Sequence, residues 1–163
     1  MRRGDYMRKP QHHPFVGKQF FRDAIDQLPA CDDFIVCSDD LPWCKRFFSA
    51  AFPRKRFLFI EGEDVLNQLY IHTLCQNNII SNSSFSWWGA WLNENPTKRV
   101  LAPSLWFGFA LYQDPHAWQD IYFQGVEIVP NRYTPVQVLL AHWNVLYWTV
   151  RLSLGRIKRK VWR

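Results

Sequence analysis

Residues 82–91 form the densest run of side chains that could do chemistry. The segment reads N-S-S-F-S-W-W-G-A-W and follows the apolar pair Ile79 and Ile80, so it predicts a strand that leads into a helix. The first N–H groups of a helix have no backbone partners and lie at the positive end of its dipole, so they favour an anion such as phosphate. The alternative is an ordinary N-cap before a buried aromatic helix, because Ser and Asn are common capping residues. The candidate ligand-binding residues are Asn82, Ser83, Ser84, Phe85 and Ser86.

Two further polar clusters could share that ligand. The first is R-R-G-D at residues 2–5, and the second is S-D-D at residues 38–40. The planar guanidinium matches phosphate oxygens, and carboxylates can accept from ribose hydroxyls or a base amino group, so the set fits a nucleoside diphosphate. Two adjacent carboxylates could also bind a divalent cation, but solvated loop acids are the commoner case, and no metal is expected. The candidates here are Arg2, Arg3, Asp5, Ser38, Asp39 and Asp40.

The elements around these clusters alternate between strands and helices. Apolar spacing predicts helices over 17–28, 41–52 and 64–76, and short apolar runs predict strands at 34–37, 57–60, 79–80 and 99–103. Residues 106–133 are predicted to be irregular. Short strands separated by helices pair through crossovers, so we predict one Rossmann-like parallel sheet with helices on both faces. The carboxyl ends of its strands would bring the three clusters to one edge.

The basic residues are concentrated at the end of the chain. The 163 residues include 20 Lys and Arg against 14 Asp and Glu, and six of the basic residues fall in the last thirteen positions. The rest of the chain is therefore neutral, which favours an anionic surface over nucleic acid as a partner. From residue 136 onward the apolar residues recur at helical spacing, which predicts an amphipathic, basic helix. It could lie on an anionic membrane or pack against protein. We predict a ligand-binding domain over 1–134 and this helical tail over 135–163.

The cysteines and the hydropathy pattern indicate in which cellular compartment the protein is expected. Cys31, Cys37, Cys44 and Cys75 form no C-x-x-C pair and no spacing typical of zinc, so we expect free thiols in a reducing environment. The sequence shows no signal peptide and no apolar run of about 18 residues. We expect a cytoplasmic chain, with a peripheral position on the inner face of the membrane as the alternative that the basic helix offers.

Three segments, in order, resemble the alpha-1,2-fucosyltransferase family. They read M-R-R-G-D-Y, I-V-C-S-D-D-L-P-W-C-K and C-Q-N-N-I-I-S-N-S-S-F-S-W-W-G-A-W-L-N. The family carries H-x-R-R-x-D-Y, F-S-D-D-x-x-W-C and I-I-x-N-S-(S/T)-F-S-W-W-x-A-W-L. The third match is long and rich in rare residues, and the resemblance extends over residues 2–103.

The resemblance implies the C-terminal, donor-binding half of a GT-B-type glycosyltransferase, truncated at its N-terminus. Such an enzyme needs no metal. It transfers L-fucose from GDP-fucose, with inversion, to the 2-hydroxyl of a galactose-containing glycan, as in surface glycan or lipopolysaccharide synthesis. Carried over by position, Arg2 and Arg3 match the arginine pair, with Arg3 on the pyrophosphate and Asp5 holding that arginine or its loop. Ser83 to Ser86 match the phosphate-facing motif.

Three positions depart from the family pattern. The His before the arginine pair is absent, because the chain begins at Met1. Gln68 stands where the family has an acidic residue for guanine recognition, and we assign Asp64, one turn earlier, as the substitute. Gln76 and Asn77 replace a basic and polar pair. These departures leave a second interpretation, a catalytically inactive remnant that binds a nucleotide sugar.

Overall fold

The computed structural model describes residues 1, 3, 4, 6, 9, 11–14, 16–108, 119–132, 135, 136, 138–143, 145–147 and 150. Within them the architecture is α/β, with helices and parallel strands in alternation. The elements, in chain order, are α1 (Lys18–Asp26), β1 (Asp33–Val36), α2 (Leu41–Ala51), β2 (Arg56–Phe59), α3 (Val65–Leu74), β3 (Asn78–Ile79), α4 (Ser84–Trp91), β4 (Val100–Pro103), a 3-10 turn (Gln119–Ile121) and β5 (Val126–Val129).

The five strands form two parallel sheets. In the first, β1 pairs with β2, and in the second β4 lies between β3 and β5. The prediction of one continuous sheet is therefore wrong, although the parallel pairing and the flanking helices are as predicted. A cavity of about 390 Å³ lies between β1 and β3. Strands form a ladder only when their backbones are about 4.8 Å apart, and this cavity keeps the two edges from pairing.

Two clusters of buried side chains hold the elements together. The larger one is aromatic and joins α1 to α2, with the Phe21 ring in edge contact with Phe48 at 5.4 Å between centroids. The smaller one lies under α4 and β4 and is built on Ile80, Ala90 and Trp106. All four residues of β4 are buried, as expected for a central parallel strand covered on both faces.

Two further differences from the sequence prediction concern the second half of the chain. β5 lies within the stretch that we predicted to be irregular, and its four residues are too few to show a periodic pattern. α3 ends at Leu74 rather than near residue 76, and none of its residues is buried. Its apolar side chains were expected to be available for a core, but Leu66 is 75% exposed because α3 packs mainly on α4.

The described residues from 135 to 150 are helical. Ala141 is fully buried, whereas Leu139 and Trp143 are each 69% exposed. Among the residues that the structure describes, no helix is long and apolar enough to cross a membrane. The helix therefore presents apolar side chains to its surroundings along the part of its length that is described.

Candidate functional site

The three polar clusters converge at the carboxyl ends of β1 and β3. A cavity of about 250 Å³ opens there, between the loop after β1 and the start of α4. Of the predicted site residues, five line it: Ser38, Asp39, Ser83, Phe85 and Ser86. The other lining residues are Met1, Cys37, Val65, Gln68 and Ser81. We call this cavity the serine cavity.

The Asp39 carboxylate, in the loop after β1, accepts two hydrogen bonds from the N-terminal segment. Its Oδ1 accepts from the backbone N–H of Arg3 at 2.7 Å, and its Oδ2 accepts from that of Gly4 at 3.1 Å. A Cβ at position 4 would lie 3.3 Å from Oδ2, so glycine lets the backbone approach this closely. The first predicted cluster thus meets the second through main-chain donors.

Arg3 is held on two sides by α2. Its Nε donates to Oδ2 of Asp40 at 3.0 Å, and its guanidinium carbon lies 4.1 Å from the centre of the Trp43 ring. Oδ1 of Asp40 accepts from the Trp43 N–H at 3.3 Å and caps α2. The Arg3 side chain is only 15% exposed, and neither Nη1 nor Nη2 donates to any described residue. Arg3 does not line the serine cavity; it lies at the Asp39–Asp40 loop beside it, with four N–H donors left for an anion.

The start of α4 lacks the side-chain cap that the alternative interpretation requires. Ser83 occupies the N-cap position with extended backbone, but its hydroxyl makes no capping hydrogen bond. Ser86 Oγ instead donates within the segment, 3.0 Å from the Ser83 carbonyl and 3.1 Å from that of Ser81. Ser84 is exposed and lies outside the cavity lining. The first N–H groups of α4 therefore have no capping Ser83 hydroxyl.

Asn82 serves the scaffold. Its side chain is 2% exposed, and Nδ2 donates to the carbonyls of Pro14 at 2.8 Å and Trp106 at 3.1 Å. Its own carbonyl accepts from the Tyr6 hydroxyl at 3.0 Å, which ties the N-terminal segment to the third cluster. The sequence analysis predicted that Asn82 contacts the ligand. In the structure its amide nitrogen instead donates hydrogen bonds to the backbone of two loops.

The residue proposed for guanine recognition lies elsewhere. Asp64 is exposed and caps α3, with Oδ1 accepting from the Asn67 N–H at 2.8 Å, and it is absent from the cavity lining. Gln68, one turn later, does line the cavity, and its Nε2 donates to the Glu63 carbonyl at 3.0 Å. The position that the resemblance assigns to guanine recognition therefore lines the cavity, and it carries an amide in this chain.

Several contributors escaped the sequence prediction. Val65 and Cys37 line the cavity, and burial raises the pKa of the Cys37 thiol, so it is protonated at neutral pH. Trp43, which contacts Arg3, was also missed. The sequence D-D-L-P-W could have indicated it, because an aromatic residue three positions after the N-cap Asp40 lies in the first turn of α2.

Arg2 and Asp5, both predicted site residues, lie outside the described residues. Within the described ranges, no group of three or more His, Cys, Asp or Glu side chains could hold a metal ion.

The rest of the aromatic motif is structural. Trp87 Nε1 donates to the Ile121 carbonyl at 2.6 Å, and Ala90 is fully buried. Gly89 faces His72 of α3 so closely that a Cβ there would lie 2.5 Å from the His72 Cβ. These contacts fix the axis of α4 and so aim its N-terminus at the serine cavity.

Similarity to known proteins is found over the same part of the chain. Residues 1–117 match glycosyl transferase family 11. An alpha-1,2-colitosyltransferase of Escherichia coli is 35% identical in an alignment of 114 residues that covers 66% of this chain and 39% of that protein. The O-antigen biosynthesis glycosyltransferase WbnK of Escherichia coli is 34% identical in an alignment of 116 residues that covers 66% of this chain and 37% of that protein. The matched part thus spans less than two fifths of either relative. No solved structure gives a significant match.

Proposed function

Because the chain belongs to glycosyl transferase family 11, we propose that its serine cavity and Arg3 bind the diphosphate of a nucleotide-sugar donor, GDP-fucose. The observation that carries this is the placement of Arg3. Asp40 and Trp43 hold its guanidinium at the loop whose Ser38 and Asp39 line the cavity, and its terminal N–H donors have no partner among the described residues. A planar, always charged donor set fits a diphosphate, and the start of α4 adds main-chain donors.

The reaction would be transfer of L-fucose to the 2-hydroxyl of a galactose-containing acceptor. The hydroxyl oxygen would form a bond to the anomeric carbon and lose its proton to solvent while the bond to the diphosphate breaks, so negative charge develops on GDP. Arg3 would stabilise that charge, and donors already fixed in place are the most effective way to do so. No metal is required in this scheme, because Arg3 and the α4 N–H groups supply the positive charge. The donor half would belong to a GT-B-type enzyme.

The activities for which the two relatives are named bear on donor and acceptor. One is a colitosyltransferase, so a colitose donor is the competing substrate for this chain. The other serves O-antigen synthesis, which supports a lipopolysaccharide glycan as the acceptor.

The protein would bind an anionic membrane surface from the cytoplasmic side. The contacts would come from the exposed apolar side chains of helical residues 135–150 and from the basic residues after them. Flotation with liposomes of anionic or neutral lipid tests this, and equal recovery with both would refute it.

The central experiment compares GDP binding by the native chain with that by Arg3→Ala. Losing a charge-assisted contact removes about 1.5–3 kcal/mol, which predicts a fall in affinity of roughly 10- to 100-fold. Arg56→Ala is the matched control, because Arg56 carries the same charge but pairs with the exposed Asp33 at the amino ends of the strands. Its affinity should be unchanged.

Turnover separates the two interpretations of the site. Release of GDP from GDP-fucose in the presence of a galactoside would support the enzyme, and faster release from a nucleotide-linked colitose would correct the donor. GDP binding without turnover, in this chain and in a version extended to the length of its relatives, would favour the inactive remnant. Equal GDP affinity in native, Arg3→Ala and Arg56→Ala chains would contradict the site itself.

A further inference from the structure

A cavity with a different chemistry lies between α1 and α2. Its volume of about 290 Å³ is close to the lower limit of about 300 Å³ for small-molecule sites. The charged part of its lining consists of Lys18 and Arg22 of α1 and Arg46 of α2. Trp43 and Phe47 of α2 supply two aromatic rings, and alanines of the same helix complete the lining. We call this cavity the α1–α2 pocket.

The three cations of the pocket lie together without a counter-charge. Lys18 and Arg22 are four residues apart on α1, so they share one face of the helix and repel each other. The Lys18 ammonium lies 5.6 Å from the centre of the Phe47 ring, which brings this charged face of α1 against α2. Within the described part of the chain, none of the three cations forms a salt bridge, and no Asp or Glu lines the pocket.

Several cations elsewhere in the protein are neutralised by acids. Lys45, Lys55 and Arg99 each pair with a carboxylate. Outside its last thirteen residues the chain carries as many acidic as basic residues, so counter-charges are plentiful. Asp23 of α1 does not serve the pocket, because its Oδ1 accepts from Gln19 at 2.8 Å and its side chain is absent from the lining. Three unpaired cations around one cavity therefore indicate a site for an anion that the described part of the protein does not supply.

We propose that the α1–α2 pocket binds a phosphate ester whose carrier is apolar or aromatic. A phosphate monoester has a charge of about −1.5 to −2 at neutral pH and three acceptor oxygens, so it matches three cationic donors better than a carboxylate does. Among the described residues, no lining side chain is a hydrogen-bond acceptor, which disfavours a carrier rich in hydroxyl groups. The Trp43 and Phe47 rings, with centroids 5.0 Å apart, instead offer an apolar surface that the carrier would cover.

The pocket is a neighbour of the diphosphate site but shares none of its cations. Trp43 lines the pocket and also carries the Arg3 guanidinium, whose carbon lies 4.1 Å from the centre of the ring, whereas Arg3 itself is absent from the pocket lining. The cations of the pocket in turn do not line the serine cavity. The inference therefore goes beyond the proposed function and does not rest on it. A soluble phosphate ester and the headgroup of an anionic lipid present the same chemistry, and the test separates these two sources.

The first test is calorimetric titration with phenyl phosphate and with methyl phosphate, which has the same charge but no ring. Phenyl phosphate should bind about 2- to 10-fold more tightly, because its ring contacts the aromatic part of the pocket. Arg46→Gln should weaken its binding at least about threefold, the loss expected for an exposed charge pair. Arg54→Gln is the matched control, because it removes the same charge from an exposed residue outside the pocket, and it should leave the affinity unchanged. Titration of Arg3→Ala shows whether the diphosphate site contributes.

When Arg46→Gln weakens phenyl phosphate binding, flotation with vesicles that contain phosphatidic acid identifies the source. Lower recovery of Arg46→Gln than of Arg54→Gln then indicates a lipid headgroup, and equal recovery indicates a soluble phosphate ester.

Three results would overturn the proposal. Binding of phenyl phosphate that Arg3→Ala abolishes and Arg46→Gln leaves unchanged would show that only the diphosphate site accepts it. Equal affinities in the Arg46→Gln and Arg54→Gln chains would show that the pocket makes no specific contribution. Equal affinities of the native chain for phenyl and methyl phosphate would contradict the contact between the carrier and the two rings.

Discussion

Gly89→Ala should destabilise the protein, contrary to the usual effect of this substitution in a helix. Gly89 lies inside α4, where exchanging glycine for alanine normally stabilises by about 1 kcal/mol. Here the new Cβ would lie 2.5 Å from the Cβ and 2.9 Å from the Cγ of His72. Both His72 atoms sit close to the α3 backbone, so a rotamer change cannot move the nearer one away.

The size of the effect follows from the distance. Carbon atoms prefer a separation of about 3.5–4.0 Å, so α3 and α4 must move apart by roughly 1 Å. Inserting a methyl group into a packed interface costs about 1–3 kcal/mol, which exceeds the gain in helix propensity. The difference is a net loss of up to about 2 kcal/mol in the free energy of unfolding.

Urea denaturation, followed by the change in Trp fluorescence, measures this loss as a lower midpoint. Gly17→Ala is the control, because its Cβ would meet nothing within 4 Å, and its backbone is in the extended region that alanine tolerates. A double variant that adds His72→Gly removes the opposing Cβ. It should recover part of the loss beyond the sum of the single effects. If Gly89→Ala is as stable as the native chain or more so, the close contact between α3 and α4 is wrong.

Two other substitutions test the scaffold of the site. Asn82→Ala leaves the Pro14 and Trp106 carbonyls without their donor and should cost about 2 kcal/mol of unfolding free energy, measured by urea denaturation; a loss within experimental error would contradict the buried amide contacts. Burial lowers the pKa of His72 to about 4, below the unfolded value of about 6.5, so the unfolded chain binds the extra proton and stability falls as pH drops through that window. Between pH 7 and 5 the native chain should lose about 2 kcal/mol more than His72→Gln, and parallel pH profiles would refute a neutral, partly desolvated ring.

The sequence predicted the convergence of the polar clusters better than it predicted the sheet. The family named by the motifs is confirmed, and Ser38, Asp39, Ser83, Phe85 and Ser86 do meet in one cavity. That convergence was predictable because the carboxyl ends of parallel strands share an edge. The structure also confirms that all four cysteines are free.

The features that could not be predicted from the sequence depend on tertiary contacts. Asn82 and Ser83 look alike as polar residues before a helix, but only the fold shows that the Asn82 amide holds two loops together. Asp64 had the right chemistry for guanine, yet its side chain caps α3, and the neighbouring turn presents Gln68 instead. The separation into two sheets goes with the cavity between β1 and β3, which no local sequence pattern reports.

Asp40 gives the site a thermodynamic connection to α2. One of its oxygens caps the helix through the Trp43 N–H, and the other accepts from Arg3, whose guanidinium rests on the same Trp43 ring. An anion that holds Arg3 in this position also favours the conformation of Asp40 that caps α2. By linkage the coupling is reciprocal, so the free energy that a bound anion would add to the capped first turn of α2 is also the free energy that anion binding would lose when that turn is uncapped. Substitutions in the first turn of α2 are therefore expected to change anion affinity through Asp40 and Trp43.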